Sequence, residues 1–148
     1  MASTLIPTTF KIKITEEQIV RNNVIKNEVV HSIGNVTNVD HRVLTCPNTT
    51  SIDLITVNGI NPGAGTFPSG SLKYIRITNL DDTYSVAITV SGSQGTFTQK
   101  LSPTGSLFFA SSQITSSNFN GNFGDNIESI TAYAISSSID VEYVLINA

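Results

Sequence analysis

Tryptophan is absent from this 148-residue sequence, cysteine and methionine occur once each, and only 13% of the residues are charged. The lone Cys46 excludes an intrachain disulfide framework and reads as a small, buried hydrophobe. His31, His41 and Cys46 follow no zinc-ligand spacing, so neither a metal nor a cofactor is expected. Eight Lys and Arg stand against eleven Asp and Glu, for a net charge of −3, and the basic residues are scattered. Without a basic patch to hold phosphates, nucleic acid is not an expected partner. No apolar run approaches the roughly 20 residues that span a bilayer, and the first ten residues lack the basic and apolar regions of a leader. We therefore expect no membrane partner, and synthesis in a cytoplasm without secretion. The sequons at Asn35 and Asn48 then read as accidents of a Thr- and Asn-rich composition.

What the chain does contain is 39% hydrophobic residues among abundant Ser, Thr, Asn and Gly, a mixture that favours strands and turns over helices. At this length a single core is self-sufficient. Residues 1–9 read as an extended N-terminal arm and 10–148 as one β-sandwich domain. Leu5, Ile6 and Phe10 are the candidate contacts of the arm. From Phe10 the pattern alternates, with Ile12 and Ile14 on one side and Lys11 and Lys13 on the other, as in a half-buried antiparallel strand. Thr15 to Gln18 fits a helix-capping box, so a short helical turn competes there before Arg21-Asn22-Asn23 breaks the run. Val24-Ile25 and Val29 to Ile33 read as the returning strand, interrupted around Lys26 to Glu28.

Further on, Val43 to Cys46 is a short apolar run stopped by Pro47, and Ile52 to Val57 alternates. Asn58 to Gly65 is a Gly/Pro/Asn-rich exposed connection, a candidate functional loop with Phe67 at its end. Pro68-Ser-Gly-Ser-Leu72 is a tight-turn signal that feeds a central strand from Leu72 to Thr78, closed by Asn79 to Asp82. Tyr84 to Ser91, with Val86, Ile88 and Val90 alternating, and Thr96 to Leu101 have hairpin spacing across Gly92 to Gly95, and Pro103-Thr-Gly-Ser-Leu107 repeats the earlier turn chemistry. Ile127 to Ile135 and Ile139 to Ile146 are expected to pair across Ser136 to Ser138. Eight to ten short strands at turn-punctuated intervals indicate an all-β antiparallel sandwich or jelly roll.

No catalytic set accompanies these strands. Cys46 with His41 would make a nucleophile pair only in a turn that Pro47 does not resemble. Asp81-Asp82 reads as a turn rather than a calcium loop, and the Glu16-Glu17 and Asp81-Asp82 pairs do not define a glycosidase dyad. We expect no enzyme. The loop from Ser116 to Asn126 is the most functional in appearance: Phe119 and Phe123, with Asn120 and Asn122 beside them, could anchor a partner, stack on a sugar face, or fold back onto the core.

The run from Gly70 to Asp81, followed by Val86-Ala-Ile-Thr-Val90, Leu101-Ser-Pro-Thr-Gly-Ser-Leu-Phe-Phe109, Ile130-Thr-Ala-Tyr-Ala134 and Ile139 to Ile146, resembles small virion proteins of tailed, especially marine, bacteriophages. The resemblance spans roughly Ser69 to Asn147. It implies a β-sandwich with a terminal β-hairpin, sited in the virion as a capsid decoration or head-knob protein. The implied partners are the major capsid protein or other virion proteins and further copies of the chain, as a trimer or dimer. The alternative it implies is a receptor- or glycan-binding module of a fibre, contacting a host-surface glycan through Phe119 and Phe123. The unmatched N-terminal third is the part expected to tie the domain to a shell or a neighbouring subunit.

Overall fold

The computed structural model describes residues 8–57, 65–67, 72–93, 95–110 and 127–148. Among them there is no helix, and eleven strands form three sheets. In chain order these are β1 (Thr8–Val20), β2 (Asn23–Val36), β3 (Asn38–Cys46), β4 (Ile52–Val57), β5 (Thr66–Phe67), β6 (Leu72–Asn79), β7 (Val86–Gly92), β8 (Gly95–Leu101), β9 (Ser106–Ala110), β10 (Ile127–Ala134) and β11 (Ile139–Asn147). One sheet runs β3-β11-β6-β9 and the other β5-β4-β10-β7-β8, while β1 and β2 make a two-stranded sheet of their own. The two-residue β5 pairs parallel to β4; every other described pair is antiparallel.

Setting aside β5, the chain changes sheet at every step from β3 to β11 except the β7–β8 hairpin. That crossing pattern over eight strands is a jelly roll, so the sequence's two alternatives resolve to one. The sheets share one core. Ile75, Ile77, Val141, Tyr143 and Leu145 from one meet Leu54, Val86, Ile88, Val90, Ile130 and Ala132 from the other, all essentially inaccessible to water. The expected central strand is β6, flanked on both sides by β11 and β9, and the turn at 68–71 that introduces it lies outside the described residues.

The expected terminal hairpin is not present. β10 pairs with β4 and β7 in one sheet, β11 with β3 and β6 in the other. Ser136 to Ser138 is therefore a crossover between sheets. Both strands carry one apolar face that must be buried, and facing each other across the core buries both, whereas side-by-side pairing leaves the layering open.

At the end of the sandwich where this crossover lies, the loops are stitched together by polar side chains. Buried Asn79 donates from Nδ2 to the carbonyls of Tyr84 (2.8 Å) and Ser102 (3.1 Å), and its Oδ1 accepts from the Asp81 amide at 3.0 Å. Asp81 in turn accepts from the amides of Thr83 and Tyr84. The Asn48 amide donates to the Ser136 carbonyl, and Tyr133 Oη donates back to the Asn48 carbonyl. The Pro103 turn places Thr104 at φ 59° and brings a Cβ on Gly105 within 2.9 Å of the Ser102 carbonyl, so glycine is required there.

Candidate functional site

At the opposite end stands the β1–β2 ribbon. Thr15 and its successors form strand rather than a helical turn, because Arg21 and Asn22 both take positive φ (47° and 64°). That is the geometry of a two-residue hairpin turn whose twist matches the flanking strands. Val20 then pairs with Asn23, and the ladder continues without the expected interruption at Lys26 to Glu28. Those three polar residues are held by cross-strand partners: Lys26 with Glu17 (3.5 Å), Asn27 with Glu16 (3.4 Å) and Glu28 with Lys13 (2.7 Å). Such exposed pairs fix register more than they stabilise.

The base of the ribbon is anchored. Ile12 and Val36 are buried, and with Phe10, Ile14 and Ile33 they pack against Tyr74 and Ile146 on the outer face of the β3-β11-β6-β9 sheet. The Phe10 and Tyr74 rings lie 5.6 Å apart, tilted at 45°. Of the expected arm contacts, Phe10 thus binds the chain's own sheet, while Leu5 and Ile6 lie outside the described residues. A cleft of about 320 Å³ remains between ribbon and sheet, lined by Ile12, His31, Ile33, Lys73, Ala110 and Ala148.

Beyond the base the ribbon is bare. Every residue from 15 to 32 is exposed, including Ile19 (69%), Val20, Val24 (59%), Ile25, Val29 and Val30. Cross-strand register places Ile19 and Val24 on one face of the tip and Val20 and Ile25 on the other, so the tip is apolar on both sides. The same outer face of the sheet that anchors the ribbon also carries separate exposed apolar side chains on its two edge strands, Val39 and Val43 on β3 and Phe108 on β9. Between them Glu142 on β11 binds Arg76 of β6 and lies 3.3 Å from His41 Nε2.

The residues singled out for chemistry are dispersed. His31 lies on the ribbon, His41 pairs with Glu142, and Cys46 is fully buried, its thiol pKa raised by burial. Glu16 and Glu17 sit on the ribbon, while Asp81 caps a turn at the far end of the sandwich. No three His, Cys, Asp or Glu side chains come together among the described residues. Phe119, Asn120, Asn122 and Phe123, and residues 58–64 of the Gly-rich connection, lie outside the described residues.

The exposed ribbon tip was not singled out by sequence. Its signal is present, in aliphatic pairs Ile19-Val20 and Val24-Ile25 flanking Arg21-Asn22-Asn23, but Thr15 to Gln18 just before them satisfy a capping-box pattern, and only the turn geometry decides between helix and strand.

No family model, curated protein or solved structure matches the chain.

Proposed function

We propose that the protein is a non-enzymatic structural component of a virion, a decoration or head-knob protein that binds the phage shell as an oligomer. The jelly roll is an architecture used by viral capsid domains and also by lectins and cupins, so fold alone does not choose among them. The observation that carries the reading is the bare β1–β2 ribbon, whose whole outer half is exposed and apolar at its tip. An isolated two-stranded ribbon is marginal in water, and clustered exposed aliphatics mark a surface that other protein covers. A molecule built in this way is suited to assembly. The motif resemblance to phage virion proteins points the same way and supplies the partner class, the shell. Mass spectrometry of purified virions should find the protein in a fixed ratio to the major capsid protein, and purified protein should co-sediment with emptied shells. Its absence from virions, together with failure to bind shells, would reject the reading.

A further inference from the structure

We draw no further inference here: the strongest candidate, the exposed apolar tip of the β1–β2 ribbon formed by Ile19, Val20, Val24 and Ile25, already carries the proposed function, and nothing in the structure shows which surface covers it.

Discussion

Asn79 shows how a single polar side chain can decide whether one end of a sandwich closes. It is fully buried, and its amide and carbonyl oxygen together serve the backbone of Tyr84, Ser102 and Asp81. An Asn79→Leu variant keeps the branched shape, in a somewhat larger side chain, but strands those groups, each at a penalty of about 1–3 kcal/mol where no water replaces the amide. We expect a loss of about 2–4 kcal/mol, read as a lower midpoint in urea with unchanged slope. Tyr143 is the corresponding residue at the ribbon end. Burial, then its 2.8 Å hydrogen bond to Asp40 Oδ2 and the charge of that carboxylate, push its ionisation well above that of a free tyrosine. Burial acts in the same direction on Tyr74 and Cys46. Because the folded-state values are the higher ones, this stabilisation is complete below the unfolded pKa and is lost as pH rises past it. Above about pH 10, stability should fall by up to about 1.4 kcal/mol per pH unit for each such tyrosine. Urea titrations across that range should show a shallower decline in Tyr143→Phe, which also loses about 1 kcal/mol at neutral pH with its hydrogen bond. An unchanged slope would assign the alkaline loss to other groups.

At the scale of elements, the ribbon divides into an anchored base and a bare outer half, and the two should behave differently. Replacing residues 16–27 by an Asn-Gly turn, so that the paired Thr15 and Glu28 close a shorter hairpin, removes only exposed residues. The melting midpoint of the isolated chain should move by no more than a few degrees. Replacing Ile12 or Tyr74 by Asp, in contrast, buries a charge between ribbon and sheet and should detach the base. Hydrogen exchange would show it as lost protection in β1 and β2 alone. The difference between the halves explains what the sequence could and could not reveal. Ile75, Ile77 and Ile88 sit in runs whose alternation and turn boundaries mark strands, and all three are core. The strands read at Leu72 to Thr78, Tyr84 to Ser91 and Thr96 to Leu101 therefore correspond to β6, β7 and β8, with bounds that differ by a residue or two. The pairing of β10 with β11 was not what local spacing suggests, because three serines fit a hairpin loop and a crossover equally well, and the choice is made by which apolar faces meet. The ribbon was obscured because Thr15 to Gln18 satisfies helix and strand rules alike, and cross-strand partners beyond the turn decide.

At the scale of the whole molecule, the polar loop end and the ribbon end have different chemistry. The loop end spends its side chains on internal hydrogen bonds through Asn79, Asp81 and Asn48. The ribbon end leaves Ile19, Val20, Val24 and Ile25 in water, while Val39, Val43 and Phe108 remain open on the sheet that holds its base. The all-β sandwich was legible from composition and turn spacing, but the asymmetry between its ends appears only once the strands are ordered. Because clustered exposed aliphatics of this kind mark an interaction surface, association through the ribbon is the central claim. It is tested most directly by sedimentation equilibrium of the full chain beside the variant with residues 16–27 replaced by the short turn. We expect the full chain to sediment as an oligomer and the shortened chain as a folded monomer of matching melting midpoint. Equal masses for the two, whether both monomeric or both oligomeric, would contradict the claim.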